Sequence, residues 1–324
     1  MDHLSRSLRN LFVWSEFDRA ADLRKHNKHE QGDPITLDHP EARLIPVWND
    51  QCLVSMKSEY QLVKLQAPAI SRAISSEHID FESVTMLGMQ DGRPYFAADV
   101  LNDEAANLHL HYAFQDVRKI STHVSPSDAA LIAYAKVMIY WHKRHRFCGS
   151  CGSPTQITQS GHLRLCTNEA CGQSHFPRTD AAIIVRVIRD NKILLARQAN
   201  WPPNQCSVIA GFVEPGESVE HAVKREVWEE TNLQVHDVHY ESSQPWPFPG
   251  SLMLGYSART DDEKIILRDG ELEQAAWYSR QDICDGICDG SLRVPTRISI
   301  AYRLVEDWYD MDDETGLEAL LATH

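Results

Sequence analysis

Four cysteines near the middle of the chain restrict its fold more than any other feature. Cys148-Gly-Ser-Cys151 and Cys166-Thr-Asn-Glu-Ala-Cys171 form two knuckle-like pairs, separated by a loop that carries Gly152, Pro154 and Gly161. Tetrahedral zinc needs four soft ligands converging at about 2.3 Å, and two tight turns on a short hairpin supply that geometry. The second pair is wider than the usual CxxC, and the competing reading is four unrelated thiols. A closed site of four cysteine ligands is structural, so one zinc ion per chain is expected to hold the fold together and not to perform chemistry. Cys52, Cys206, Cys284 and Cys288 read as ordinary thiols. Cys284 and Cys288 are spaced to share a helix face, but no histidine stands near them and a second metal site is not expected there.

Length and composition frame what surrounds this cluster. A chain of 324 residues has room for about two domains, each with its own core. With 43% hydrophobic and 24% charged residues it reads as an ordinary globular protein. No apolar run approaches the roughly 20 residues that span a bilayer. The opening MDHLSRSLRNLFVWSEFDRA is broken by charge too often for a secretory core. The expectation is a cytoplasmic protein with no membrane partner, whose cysteines are thiols or metal ligands. Thirty-two basic against 46 acidic side chains give a net charge of −14. That balance disfavours a surface built to neutralise a long nucleic acid, though a small anion can bind where cations offset the field.

Three segments emerge along the chain. Residues 1–125 hold short β-like runs, Leu44 to Trp48, Ser83 to Met89 and Tyr95 to Val100, the last after the turn Asp91-Gly92-Arg93-Pro94. They read as an accessory α+β domain without a catalytic constellation. Residues 126–177 comprise a connector helix, capped by Ser125 with Pro126 at its first position and running to about His142, and then the cysteine ribbon. In residues 178–324 the runs AAIIVRVI and KILLAR flank Asp190-Asn191 and predict a hairpin. QCSVIAGFVE follows as a further strand and SVEHAVKREVWEET as a helix, which together imply an α/β or α+β sandwich.

That helix carries the chemistry. The turn Pro215-Gly216-Glu217 and the N-cap Ser218 predict a helix from about Val219 to Thr231. Glu226, Glu229 and Glu230 then stand at i, i+3 and i+4, on an arc that adjoins the apolar positions Val219, Ala222 and Val223. Carboxylates clustered beside a core repel unless a cation compensates, and hard oxygen ligands favour Mg²⁺ or Mn²⁺. From spacing alone, a solvated acidic helix with Lys224 and Arg225 as partners is an equally good reading.

The wider pattern resembles the Nudix box: Gly211, five residues, Glu217, seven residues, then Arg225-Glu226-Val227-Trp228-Glu229-Glu230. Asn232 takes the place of the closing glycine, a mild departure because asparagine tolerates the left-handed helix C-cap. The resemblance implies a Nudix hydrolase in which Glu226, Glu229 and Glu230 bind divalent metal. Ser243-Gln-Pro-Trp-Pro-Phe-Pro-Gly-Ser251 narrows it, being similar to the SQPWPFPxS signature of the NADH pyrophosphatases. Trp141-His142 and His145-Arg146-Phe147 before the ribbon, and His175-Phe176-Pro177-Arg178 after it, follow the same order. Glu271 matches the place of a further metal-binding glutamate, with Gln274 where relatives carry a second acid. Alone, Glu271 reads as a surface acid. Phe176 and Phe212 match positions that present rings to the nicotinamide. Gln244, Trp246, Phe248 and Ser251 are expected to line the dinucleotide pocket.

The implied fold is α+β: a Nudix α/β/α sandwich preceded by a zinc ribbon and an N-terminal accessory, Nudix-like α+β domain. The implied reaction splits the pyrophosphate of NAD(H) into NMN(H) and AMP, with Glu229 and Glu230 catalytic and Glu230 orienting or deprotonating the water. The alternative is removal of an NAD cap from an RNA 5′ end, where Lys143-Arg144-His145-Arg146 offers a basic approach. A non-catalytic dinucleotide sensor would have lost box carboxylates, and none is lost. A zinc-ribbon nucleic-acid binder conflicts with the acidic total charge. The resemblance also implies a homodimer.

Overall fold

The computed structural model describes residues 2–13, 17–24, 36–66, 69–70, 74–268, 270–311 and 316–323. The chain forms two compact units. One is Trp14–Thr179 with Trp246–Gly250, and the other is Met1–Val13, Asp180–Pro245 and Ser251–His324.

The first unit is built on a seven-stranded sheet, with Arg43–Trp48 parallel to Arg93–Val100 and antiparallel to Gln51–Ser55. Asn49-Asp50 and Asp91-Gly92 close two of its hairpins with positive φ at both turn residues, the geometry that matches strand twist. The long strand Ile79–Gln90 extends the expected run at both ends, and bulges interrupt its pairing with Arg93–Val100. Leu44, Leu53, Met86, Phe96 and Ala98 fill the core on one side. The helix Pro126–Arg144, capped by Ser125 Oγ on the Asp128 N–H at 3.1 Å, packs on the sheet along most of its length.

Thr155–Thr158, Leu163–Cys166 and Ser174–His175 form the three-stranded antiparallel ribbon. It is tied to the sheet through a buried polar network. Arg164, 2% exposed, donates to the Thr155 and Glu82 carbonyls and, at 3.1 Å, to Nδ1 of His142. The His142 proton therefore sits on Nε2, which donates to Thr85 Oγ1 at 2.9 Å. Burial first, then the Arg164 charge, push the His142 imidazole down to about 3. Gly161 lies directly against Thr85, where a Cβ would clash with backbone and side chain.

The second unit is a sandwich around a six-stranded sheet, ordered His236–Trp246, Ser251–Arg259, Asp180–Arg189, Lys192–Arg197, Gln274–Tyr278, with Ile209–Phe212 pairing to Asp180–Arg189. Alternation along its strands divides two cores. Ile183, Val185, Val187, Leu194 and Ala196 meet Ala222, Val223 and Val227 of the helix Val219–Thr231. Ile184, Ile193 and Leu195 face the other way, toward Ile283, Leu304, Val305 and Leu317 of the C-terminal helices. Each face of the sheet thus feeds one helical layer, which gives the expected α/β/α sandwich. The strand predicted over QCSVIAGFVE shortens to Ile209–Phe212.

The edge strand His236–Trp246 is covered by the N-terminal segment. Ser7 Oγ accepts from the Ser243 N–H at 3.0 Å, and Asn10 Nδ2 donates to the Ser243 carbonyl at 2.9 Å. Glu241 bridges Arg6 and the buried Arg186, while Arg9 pairs with Glu306 and Asp307 at 2.6 Å each. Side-chain bonds of this kind cover a row of backbone groups that would otherwise invite another strand. Pro245 is tolerated in the strand because it stands on this edge. No described helix is long and apolar enough to cross a membrane.

Candidate active site

The acidic helix forms over Val219–Thr231 with both ends fixed as its sequence requires. Ser218 Oγ caps the His221 N–H at 3.3 Å, and Asn232 takes the left-handed conformation at φ 60, its N–H bonded to the Trp228 carbonyl at 2.8 Å. Glu226 and Glu229 are half-buried and Glu230 is 3% exposed, so the carboxylates do border the core.

Arg225 gathers two of them, Glu226 and Glu229, together with Glu217. Its Nη1 lies 2.9 Å from both Glu226 Oε1 and Glu229 Oε2, its Nε and Nη2 fork onto Glu217 at 3.1 and 2.7 Å, and Nη2 also donates to the Phe212 carbonyl. Glu217 in turn accepts from the Glu214 N–H at 2.7 Å, and the guanidinium holds its carboxyl below the usual range. The solvated-helix alternative is thus half realised: Arg225 is a partner, while Lys224 is exposed and makes no ion pair among the described residues.

One arginine does not balance the cluster. Burial pushes the Glu226 carboxyl up, and the charges of Glu229 and Glu271 push it further against the pull of Arg225. Glu271, exposed on the segment before Gln274–Tyr278, therefore acts on the same group as the helix acids. A hard divalent cation fits this donor set, because it relieves both the burial and the mutual repulsion.

The backbone is shaped around Glu226. Gly211, on the strand Ile209–Phe212, leaves the space that the Glu226 carboxylate occupies. Phe212 beside it, the last residue of that strand, is 59% exposed. Ser251, 7% exposed, starts the strand that pairs with Asp180.

Gln244 departs from its expected place. It is fully buried, with Nε2 donating to the carbonyls of Leu11 and Ile298 at 3.0 and 2.9 Å and Oε1 accepting from the Ile300 N–H at 2.7 Å. The amide joins the edge strand to the N-terminal segment and to the start of the helix Ile300–Tyr309, and it spends both N–H groups doing so. Nothing in a linear motif distinguishes such a tie from a pocket-lining amide.

In the other unit, Cys148, Cys151, Cys166 and Cys171 bring their sulfurs within 4.8 Å of one another. The Cys148–Cys171 and Cys151–Cys166 separations, 3.8 and 3.5 Å, suit the edges of a tetrahedron around one zinc. The Ser150 N–H lowers the Cys148 thiol and Ser153 draws Cys151 down to about 6, whereas burial lifts Cys166 to about 12. Four sulfurs this close suit a soft cation, which would bind them as thiolates, so the site fits structural zinc. His175 Nε2 lies 3.3 Å from Cys148 Sγ, and Phe176 after it is 58% exposed. This contact, unforeseen in the sequence, places a polar tether one residue before the predicted ring.

The tip of the SQPWPFPGS segment belongs to this unit as well. Trp246 and Phe248 meet edge to face at 5.0 Å, and Lys136 donates to the Pro247 carbonyl at 3.0 Å.

Comparison with known families agrees with this layout. Residues 177–293 match the NUDIX domain, residues 41–141 the NADH pyrophosphatase-like rudimentary NUDIX domain, and residues 143–176 the NADH pyrophosphatase zinc ribbon domain. The NAD-capped RNA hydrolase NudC of Stutzerimonas stutzeri is 39% identical over 220 residues, covering 68% of this chain and 75% of that protein. NudC of Mycobacterium bovis, also named a NAD-capped RNA hydrolase, is 36% identical over 238 residues, covering 70% and 75%. Human NAD-capped RNA hydrolase NUDT12 is 38% identical over 192 residues, which are 56% of this chain and 42% of the human protein. The chain thus spans less than half the length of that human relative.

Proposed function

The chain belongs to the Nudix hydrolases, in their zinc-ribbon NADH pyrophosphatase branch, and from that premise we propose that it hydrolyses the pyrophosphate bond of NAD(H) to NMN(H) and AMP. The observation that carries this reading is the pair Glu226 and Glu229, drawn together by Arg225 beside Gly211, with Glu230 on the same helix, and left with more negative charge than the arginine offsets. In it, Glu226, Glu229, Glu230 and Glu271 hold Mg²⁺ or Mn²⁺, which supplies neutralisation of the phosphate oxygens and acidification of water. Glu230, with Glu229 beside it, orients the water and takes its proton, and water adds across the P–O–P linkage to leave two monophosphates. Phe212 and Phe176 offer exposed rings for a flat heterocycle. On this reading Ser251, Trp246 and Phe248 are substrate contacts, whereas Gln244 acts through the fold.

In the same reading residues 1–125 are accessory, 126–177 connect and carry zinc, and 178–324 catalyse. Four cysteines assigned to zinc and four others, with no disulfide among the described residues, suit a reducing compartment, the cytoplasm. The homodimer rests on the family resemblance alone.

A second reading is favoured by the relatives' names: hydrolysis of the same bond where NAD caps an RNA 5′ end. The test compares NADH, NAD, ADP-ribose, diadenosine compounds and NAD-capped RNA with Mg²⁺ and with Mn²⁺. NMN(H) and AMP from the dinucleotides support the first reading, and turnover confined to other diphosphates overturns it.

A further inference from the structure

The basic run at the end of the connector helix is less available than its sequence suggests. Lys143 pairs with Asp99 at 2.8 Å, and Arg146 pairs with Asp80. Arg144 makes no ion pair among the described residues and lies over the ring of Tyr140 at 4.3 Å. One turn before Tyr140, Lys136 stands 5.9 Å from that ring and 5.5 Å from the ring of Phe248. Phe248 also carries Arg118 at 3.9 Å, and Arg118 reaches Trp246 at 5.4 Å. Cations and rings therefore alternate in the order Arg144, Tyr140, Lys136, Phe248, Arg118, Trp246. All six lie in one unit.

The two ends of this ladder differ from its middle. Lys136 is 6% exposed and holds the Pro247 carbonyl, which fixes the loop tip. Arg118 and Arg144 are exposed, and Arg118 too makes no ion pair among the described residues. The nearby Asp116 carboxylate is turned to the backbone N–H groups of Arg118 and Lys119. A guanidinium laid on a ring keeps its N–H edge for an anion, and its plane for a base. Alternating cations and aromatic rings are what sequence-tolerant binding of single-stranded nucleic acid requires. A chain with net charge −14 has no general affinity for phosphate chains, so such a track has to be local.

We propose that the ladder from Arg144 to Trp246 is a binding track for the first nucleotides of single-stranded RNA, with Arg118 and Arg144 contacting its phosphates. This rests on the second reading above, removal of an NAD cap.

The test uses the full chain with zinc bound, a short NAD-capped oligoribonucleotide, and free NADH. Arg118→Gln and Arg144→Gln should each lower the ratio of kcat/KM for capped RNA to that for NADH by about fivefold, and the double variant further. The salt dependence of kcat/KM for capped RNA should become shallower by about 0.7 in log–log slope per lost cation. Arg118→Lys and Arg144→Lys should restore the slope. A proportional loss on both substrates, or an unchanged slope, would overturn the track while leaving the cap reading intact. Wild-type protein that cleaves NADH but not capped RNA would overturn the cap reading, and the track with it.

Discussion

A methyl group on Gly211 would stand inside the Glu226 carboxylate, overlapping its carboxyl carbon and both oxygens. Gly211 has no left-handed φ to explain it, so close approach is its reason. Gly211→Ala should push the Glu226 carboxylate off its position, and because only the end of that flexible side chain has to move, stability should change little. The larger expected effect is on metal: the Mg²⁺ or Mn²⁺ concentration for half-maximal rate should rise at least about tenfold, roughly 1.4 kcal/mol. Unaltered metal dependence in this variant would separate the glycine from the proposed site.

Glu229→Gln and Glu230→Gln test the acids themselves, because volume is kept and charge removed. Each should lower kcat about 10²-fold or more, roughly 2.7 kcal/mol of barrier. Glu229 also loses its bond to Arg225, an ion pair worth a few tenths of a kcal/mol at this exposure, so stability should hardly move. Glu220→Gln, an exposed acid on the same helix, is the control and should be nearly silent. Near-normal turnover by both variants at saturating Mg²⁺ and Mn²⁺ would sink the mechanism.

Gln244→Ala should act on folding before it acts on catalysis. It strands the carbonyls of Leu11 and Ile298 and the N–H of Ile300 in the core, at a cost of about 2–4 kcal/mol. A clear fall in Tm is expected, and an unchanged Tm with impaired NADH turnover would return Gln244 to the pocket.

What the sequence made legible is local. The helix Val219–Thr231, its Ser218 cap and the left-handed Asn232 follow from periodicity and capping within a few residues. The hairpin Asp180–Arg189 to Lys192–Arg197 turns at Asp190 as its Asp-Asn pair implies. The four cysteines converge because two short turns of the ribbon, at Cys148–Cys151 and Cys166–Cys171, leave them little choice. The illegible parts join residues far apart. Asn10 with Ser243, Arg164 with His142, and Arg118 with Phe248 leave no periodic trace, since either partner alone suits an exposed surface. Gln244 shows the same limit from the opposite side: its motif marks its importance and not its direction.

Zinc removal should unfold more than the ribbon. The ribbon's Arg164 and Gly161 are built into the sheet through His142 and Thr85, so loss of the ion should loosen that unit as well. Cys148→Ser and Cys171→Ser should lower Tm much more than Cys284→Ser, and metal analysis should return one zinc per chain. Folded, carefully prepared protein without zinc would refute the site.

His142, buried on the connector helix, and His162, half-buried in the ribbon's own turn, should make the chain acid-sensitive. His142 and His162 share one design: an arginine donates to Nδ1, Arg164 to one and Arg24 to the other, and Nε2–H donates onward, to Thr85 Oγ1 and to the Met86 carbonyl. Burial first, then these charges together with His145 and His162 around His142 and Arg19 near His162, hold the imidazoles down to about 3 and about 4. Unfolded, both would titrate near 6.5. Below that pH the unfolded chain binds up to two protons that the folded chain refuses, so stability is present above about 6.5 and is lost as the pH falls. The expected slope is about 1.4 kcal/mol per pH unit for each histidine, from both between 6.5 and about 4 and from His142 alone down to about 3. His142→Gln should remove one proton from that slope whatever it does to the absolute stability. Imidazole NMR shifts provide the direct check: both rings should stay neutral at pH 5 as Nε2–H tautomers, and a His142 that titrates near 6.5 in folded protein would contradict the network.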